Sequence, residues 1–357
     1  MRLRLAHLLS FVLLLAGCSA ESGADFYPGA SDGDGRYSGE GGTMGTPSTP
    51  APSDPSTPST PGGGGAAAGT LTAGAWDDNL NFERFQEFVN GAPEALPLTT
   101  AEQEAARDRF GGDREANATL DIALVIDTTG SMSDEIRYLQ AELDAIAAAI
   151  DTAYPDASAR WALIVYRDTT DEYVTRVFDF RSVAALRSDL AAQGASGGGD
   201  YPEASDAALT DMTNLAWRED ETTARLAFWV ADAPHHESRT AVITEAIRTA
   251  SQLDVHIYPV ASSGVDVRTE TSMRSAAQLT GGRYLFLTDD SGVGGSHLEP
   301  SIPCYFVTLL SNAMLRMVDI EMSGVYREPE AAQIIRTGGD PTDRACTLDS
   351  GKIVYAF

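Results

Sequence analysis

The chain has 357 residues, a length that allows one large domain or two modest ones. Its 52 acidic and 25 basic residues give a formal net charge of -27, which argues against nucleic acid and anionic lipid as partners. An acidic, well-solvated surface accounts for this charge, and binding of cations or of a basic partner is the alternative.

The start of the chain predicts a cleaved leader. Residues 1–4 are basic, and residues 5–15 are apolar but too few to span a bilayer as a stable helix. Residues 15–18, Leu-Ala-Gly-Cys, resemble the bacterial lipobox, in which the cysteine becomes lipidated; an ordinary signal peptide with a chance cysteine is the alternative. Cys18 is followed by Ser19, not by the Asp usual in inner-membrane lipoproteins. The resemblance implies an outer-membrane lipoprotein of a Gram-negative cell, facing the periplasm or the exterior and touching the membrane only through its lipid.

The cysteines also indicate an envelope protein. Of the three, two remain once Cys18 is lipidated, namely Cys304 and Cys346. In an oxidising compartment they are best interpreted as one disulfide that ties the tail to the body, with two free thiols as the alternative.

Composition divides the chain into five segments. A lipoprotein signal peptide (1–18) precedes a disordered Gly/Ser/Thr/Pro tether (19–70), which cannot bury a core. Residues 71–118 predict an N-terminal helical extension, because their aromatic residues recur at roughly helical spacing; a small independent subdomain is the alternative. The main domain covers residues 119–318, and residues 319–357 form a weakly patterned C-terminal appendage with short strands.

Strand and helix signals alternate through the main domain. The predicted strands are 120–126, 159–166, 173–180, 225–231, 255–260 and 283–287, and the predicted helices are 133–151, 182–192, 203–216, 238–252, 269–279 and 304–318. This alternation is typical of an α/β fold, a doubly wound, mostly parallel six-stranded sheet flanked by helices. Residues 159–166 and 173–180 are close enough in sequence to form a hairpin, so 173–180 is the predicted antiparallel edge strand.

Three loops follow predicted strands and carry oxygen ligands. The first contains Asp127, Thr129 and Ser131; the second is Gly-Gly-Gly-Asp-Tyr-Pro-Glu at 197–203; the third begins at Asp232. In open α/β sheets ligands bind at the carboxyl ends of the strands. An oxygen-only cluster suits Mg²⁺, with Mn²⁺ or Ca²⁺ as alternatives.

Together, these three motifs resemble the von Willebrand factor type A (vWA) domain, a Rossmann-like fold. The first motif matches the D-x-[ST]-x-S signature of its metal-ion-dependent adhesion site (MIDAS). The Asp-Thr-Thr-Gly-Ser-Met form, with Gly-Gly-Gly-Asp-x-Pro-Glu and Asp-Ala-Pro-x-His, is similar to a subgroup that includes hemicentin-like domains. The resemblance covers residues 119–318.

The resemblance implies a role for each ligand. Thr129 and Ser131 would bind Mg²⁺ directly, Asp127 mainly through water, and Asp232 would be the carboxylate of the third loop. Asp200 stands where the family usually has a threonine, and Ser196 is an alternative hydroxyl donor. A partner protein would complete the coordination with a carboxylate. Three ionised carboxylates give the site a formal charge of -1, so attraction for an acidic partner should be weaker than in the threonine form.

Each of these residues also has a structural interpretation. Ser131 with Asp134 fits a helix capping box, Asp200 could begin a helix, and Asp232 could cap a loop. His235 and His236 invite a zinc interpretation, but zinc needs three or four nitrogen or sulfur ligands. A position at the rim of the metal site, hydrogen-bonding Asp232, is favoured for the two histidines.

The functional hypotheses therefore fall into three classes. The leading one is a lipid-anchored module for metal-dependent protein binding, in adhesion or complex assembly, and not an enzyme: no Gly-x-Ser-x-Gly elbow or P-loop occurs. The second is a metal-assisted hydrolase with His235 or Glu203 as base. The third is a structural envelope protein whose metal site does not function.

Overall fold

The computed structural model describes residues 66–133, 135–298 and 300–357. The predicted signal peptide, Cys18 and almost all of the predicted tether lie outside the described residues. Within the described residues, no helix combines the length and hydrophobicity needed to cross a membrane.

The described part of the chain contains eleven strands and eight α-helices. The strands are β1 (Thr72–Trp76), β2 (Thr119–Asp127), β3 (Arg160–Tyr166), β4 (Thr175–Arg181), β5 (Thr223–Ala231), β6 (His256–Ala261), β7 (Tyr284–Leu287), β8 (Tyr305–Leu309), β9 (Arg336–Gly338), β10 (Ala345–Thr347) and β11 (Ile353–Tyr355). The helices are α1 (Phe82–Gly91), α2 (Thr100–Phe110), α3 (Ile136–Ala153), α4 (Val183–Ala191), α5 (Ser205–Thr213), α6 (Thr240–Gln252), α7 (Val267–Thr280) and α8 (Leu310–Ser323).

A single large sheet organises the domain, with strand order β4-β3-β2-β5-β6-β7-β1-β8-β9. The run from β4 to β7 is the predicted six-stranded sheet: β3, β2, β5, β6 and β7 are parallel, and β4 is the antiparallel edge. The predicted α/β fold with an antiparallel edge is therefore confirmed. The parallel strands are buried over almost their whole length, as expected for strands covered by helices on both faces.

Three antiparallel strands that the sequence analysis did not place in this sheet extend it to nine. β1 pairs with β7 on one side and with β8 on the other, and β9 pairs with β8. The prediction that residues 71–118 are a helical extension was thus incomplete, since this segment supplies β1 as well as α1 and α2. The predicted helix 304–318 also begins too early, because β8 precedes α8. The domain boundaries themselves stay a prediction.

The helices pack through regularly spaced apolar positions. On α3, the positions at helical spacing are buried against the sheet: Ile136, Leu139, Leu143, Ile146 and Ile150. β2 places alternate side chains in two cores, Val125 on one face of the sheet and Ile126 on the other. This two-sided burial fixes the register of β2, and with it the position of the loop that follows.

A disulfide joins Cys304 to Cys346, with the two Cα atoms 6.1 Å apart. Cys304 is fully buried beside β8, and Cys346 lies in β10. The bond therefore attaches the β10–β11 hairpin to the end of the sheet.

At the amino-terminal ends of β6 and β7, a buried carboxylate is surrounded by cations. Glu321 Oε2 lies 2.8 Å from Arg114 Nη2, Glu321 Oε1 lies 2.9 Å from His256 Nδ1, and Arg283 Nη1 lies 3.5 Å from Oε1. Tyr258 also donates a hydrogen bond to Oε1. Burial would raise the pKa of Glu321, but the charges of His256, Arg114 and Arg283 outweigh it and hold the pKa below its ordinary value.

We expect Glu321→Gln to lower the free energy of unfolding by about 3–5 kcal/mol, because it removes the buried carboxylate that Arg114, His256 and Arg283 share. Since the folded pKa of Glu321 is depressed, its contribution to stability is present above the ordinary pKa of glutamate and is lost as the pH falls through the folded value. Urea unfolding at pH 7 measures the loss. The control is the exposed Glu330→Gln, and equal stability of the two variants would contradict the prediction.

Candidate functional site

The first predicted loop leaves β2 through a compact turn held by Asp127. Asp127 Oδ1 accepts hydrogen bonds from the amide of Thr129 at 2.9 Å and from its hydroxyl at 2.6 Å. The Thr129 hydroxyl also lies 3.2 Å from that of Ser131. Because the threonine proton points to the carboxylate, its lone pairs are available to another group. The structure thus brings these three predicted residues together.

Asp127 is fully buried, and the surroundings disfavour its charge. Burial, followed by the nearby charge of Asp232, raises the pKa of Asp127 to about 7, although Thr129 and the Tyr166 hydroxyl favour the ionised form. Its second oxygen, Oδ2, is buried and has no hydrogen bond of ordinary geometry among the described residues. None of the groups that mainly shift its pKa is a cation. A buried carboxylate with an unsatisfied oxygen is costly unless a cation compensates it.

The second loop is anchored to the first by backbone hydrogen bonds. The amide of Ser196 donates to Thr128 O at 3.0 Å, and the amide of Gly130 donates to Gly197 O at 3.1 Å. Gly198 has φ +73°, and a Cβ there would lie 3.0 Å from Glu203 Oε1 and 3.4 Å from Thr129 Cβ. Glycine at 198 therefore lets the two loops approach closely.

Glu203 is a buried residue of this edge that the sequence analysis undervalued, since it appears there only as the base of the hydrolase alternative. Its side chain is buried beside Gly198, and burial together with the charges of Asp127, Asp168 and Asp232 raises its pKa to about 9. Its Oε2 atom has no hydrogen-bond partner among the described residues. The signal available in the sequence was its place at the end of the Gly-Gly-Gly-Asp-Tyr-Pro-Glu motif.

Asp232 and Asp200 differ in exposure but border the same opening. Asp232, directly after β5, is buried, whereas Asp200 is exposed on the second loop. Both line a cleft of about 400 Å³ together with Ser131 and Glu203. The structure thus collects the five predicted ligands at one edge of the sheet, with Asp127 and Thr129 beneath and the other three at the cleft.

The donor set fits a hard divalent cation better than zinc. Carboxylate and hydroxyl oxygens meet here, and the unsatisfied oxygens of Asp127 and Glu203 are buried without a neutralising cation. In the residues that the structure describes, no three His, Cys, Asp or Glu side chains are grouped so as to hold a metal ion. A cation at this edge would therefore depend on the hydroxyls of Thr129 and Ser131.

The two histidines of the third loop contact groups outside the predicted ligand set. His236 Nε2 lies 2.5 Å from Asp168 Oδ1. His235 contacts the Thr240 hydroxyl at 3.0 Å and the Ser272 hydroxyl at 3.5 Å, and burial, then Arg268, lowers its pKa. The expected hydrogen bond from a histidine to Asp232 is not among these contacts.

Comparison with known proteins finds a family match over the residues that carry the candidate site. Residues 121–293 match the family model described as von Willebrand factor A domain. An ariadne-like RING finger protein of Acanthamoeba polyphaga mimivirus is 28% identical over 189 residues, which is 48% of this chain but only 18% of the viral protein. The pilus adhesin SpaC of Lactobacillus rhamnosus GG aligns with 47% of this chain and 28% of its own, at 12% identity and a TM-score of 0.37, a likeness too slight to bear on function.

The matched residues run from the start of β2 to the loop after β7, and so include all three candidate loops. The sheet of this region has the α/β architecture expected from the sequence. The family match and the sheet architecture together support a von Willebrand factor A-type domain at residues 121–293.

Proposed function

We propose that this chain is a protein-binding module whose vWA domain binds a partner through a divalent cation at a MIDAS of the hemicentin-like form. Mg²⁺ is the proposed cation, with Mn²⁺ or Ca²⁺ as alternatives. The proposal rests on one observation: Asp127 is buried at the carboxyl end of the sheet with an unsatisfied oxygen and no ion pair among the described residues.

The hydroxyls supply the second line of support. Thr129 donates its proton to Asp127, so its oxygen can face a cation as an acceptor. Ser131 lies within reach of Thr129 and borders the cleft. Together they would present two neutral oxygens, which Mg²⁺ accepts alongside carboxylates and water.

The cleft explains how a partner would reach the cation. It opens above Ser131, Asp200 and Asp232, so a side chain from another protein can approach the proposed ligands without displacing a strand. When bound, the cation would supply an open coordination position that a partner's carboxylate or a water could fill. The chain's own residues hold the cation, and the loops that line the cleft limit the size of a partner side chain that can reach it.

The charge of this site should moderate its attraction for acidic partners. The proposed ligands Asp127, Asp200 and Asp232 already outnumber the two charges of a divalent cation. Glu203 adds a fourth carboxyl group at the cleft, although its raised pKa favours the neutral form at pH 7 when no cation is present. A single partner carboxylate is therefore attracted less strongly than at a site with a neutral second-loop ligand.

No contact in the described residues favours the hydrolase alternative. The ring nitrogens of His235 face Thr240 and Ser272, not the cleft. Glu203 is held close to Gly198, at the contact between the first and second loops. The lipid anchor at Cys18 and the outer-membrane location remain part of the proposal, carried by the leader sequence alone.

We expect Mg²⁺ and Mn²⁺ to bind the purified chain saturably in isothermal titration calorimetry. Asp127→Ala should abolish binding, because it removes the buried carboxylate, and Ser131→Ala should weaken it about tenfold or more through loss of a direct ligand. Ser133→Ala is the matched control, an exposed serine in the same turn that is not a proposed ligand.

Circular dichroism establishes that each variant is folded before its titration is interpreted. The metal-dependent function would be refuted if the folded wild-type chain binds neither ion. It would also be refuted if Asp127→Ala and Ser133→Ala bind with the same affinity as the wild type.

Asp200→Asn tests the departure from the family pattern. Removing one negative charge from the cleft should weaken Mg²⁺ binding about tenfold, or about 1.4 kcal/mol, because the favourable charge interaction with the cation is lost. The exposed Asp151→Asn on α3 makes the same change in net charge away from the cleft and should leave the affinity unaltered. If the two variants bind Mg²⁺ alike, Asp200 does not belong to the site.

A further inference from the structure

The loop that joins β7 to β8, residues 288–304, forms part of the wall of the candidate metal cleft. Gly295 and Ser296 of this loop line the cleft, as Asp200 does. The loop also lies against the segment that follows β6, since a Cβ at Gly295 would be 3.7 Å from the Ser263 Cβ. Residues 263–264 and 295–296 thus make one continuous wall.

One buried carboxylate holds both parts of this wall. Glu135, at the start of α3, is fully buried, and its Oε1 accepts hydrogen bonds from the amide of Ser263 at 3.0 Å and from the hydroxyl at 2.6 Å. The backbone at Gly294 is so close that a Cβ there would be 2.5 Å from the same oxygen. Glu135 therefore ties the wall to the helix that follows the first metal loop.

His297 adds the charge that this buried carboxylate requires. Its side chain is 5% exposed and lies between two carboxylates. Nδ1 is 2.8 Å from Asp289 Oδ1, and Nε2 is 3.3 Å from Glu135 Oε1. The Nε2 contact is electrostatic, because its geometry does not make a hydrogen bond.

Both ring nitrogens of His297 face carboxylate oxygens, and this arrangement suits only one protonation state. A neutral imidazole has one N–H and one lone pair, so one of the two carboxylates would face the lone pair. The doubly protonated ring offers an N–H to Asp289 and places its positive charge beside Glu135. Deprotonation at Nε2 would leave the contact with Glu135 repulsive.

The other charged groups near His297 do not change this conclusion. Asp290 pairs with Arg336 of β9, and both line the same small cavity as His297 and Tyr305. The charge on Arg336 does not change between pH 5 and 9, and Ser263 is uncharged. Burial lowers the pKa of His297, but Glu135 and Asp289 outweigh burial and raise it above its ordinary value.

We propose that His297 is a positioning residue that holds the 288–304 loop against Glu135 while its imidazole is charged, and that deprotonation releases this wall of the cleft. The loop would then be held in place beside the cleft at mildly acidic pH and would be more mobile at alkaline pH. The consequence for partner binding rests on the proposed function, but the contact between the loop and Glu135 does not.

The first test is an NMR titration of the imidazole signals in the chelator-treated protein, with His297 assigned by its absence in His297→Gln. The pKa of His297 should exceed 6.5 and should fall by about one unit, a tenfold change in proton affinity, in Glu135→Gln. Glu142→Gln is the matched control, because Glu142 is a buried glutamate of α3 that binds the amides of Thr70 and Leu71 instead. A His297 pKa of 6.5 or less, or one that is unchanged in Glu135→Gln, would overturn the proposal.

The second test follows amide hydrogen exchange of residues 292–298 at pH 5.5 and pH 8.5, corrected for intrinsic exchange. Protection should be about tenfold lower at pH 8.5, whereas in His297→Gln it should be low at both values. Protection independent of pH in the wild type would refute the release. If His297→Gln does not fold, Asp289→Asn replaces it, because Asp289 is exposed and contacts His297 Nδ1. The imidazole signal whose pKa falls in Asp289→Asn is then assigned to His297.

The two proposals fail separately in this design, because neither His297 test contains a metal ion. If the wild-type chain binds no Mg²⁺ but His297 titrates as expected, the metal-dependent function is wrong and the contact with Glu135 stands. If Mg²⁺ binds and the loop protection does not change with pH, the metal site stands and His297 has no positioning role.

Discussion

The candidate site depends on buried carboxylates that no neighbouring cation neutralises, and in this respect the two ends of the sheet differ. At the amino-terminal ends of the strands, Glu321 is surrounded by arginine and histidine side chains, so its charge is neutralised within the protein. At the carboxyl ends, Asp127 and Glu203 lie buried without an ion pair among the described residues, and their pKa values rise to about 7 and about 9. Repulsion there is relieved by protonation or by a cation, and a cation also satisfies the orphan oxygens.

Much of the sheet could be predicted from the sequence because its parallel strands are continuous, β-branched apolar runs. β1 was missed for the opposite reason, because its sequence Thr-Ala-Gly-Ala-Trp consists mostly of small, weakly apolar residues. Glycine is required at position 74, since a Cβ there would collide with the Phe286 ring. β8 was missed because Leu310 begins α8 directly after Leu309 ends the strand. A single apolar run then crosses both elements, and periodicity alone does not separate them.

The candidate site was predictable where one loop carries the whole pattern and less so where the fold assembles it. Asp127, Thr129 and Ser131 lie within one turn, so their spacing alone predicted that they meet. Glu203 was undervalued because its burial under Gly198 depends on two glycine-permitted turns. The pairing of His236 with Asp168 depends on the packing of the loop after β3, which sequence spacing does not reveal.

The 288–304 loop is fixed at its ends and held in the middle by charge. One end continues from β7 inside the sheet, and the other ends at Cys304, which is buried and bonded to Cys346. Between them, the left-handed turns at Gly292 and Gly294 permit the loop to fold back on Glu135. A loop with fixed ends cannot move away as a whole, so a change in the charge of His297 acts on the short segment that lines the cleft. The disulfide, which is distant in sequence from every proposed ligand, thus restricts the motion to the part of the loop that borders them.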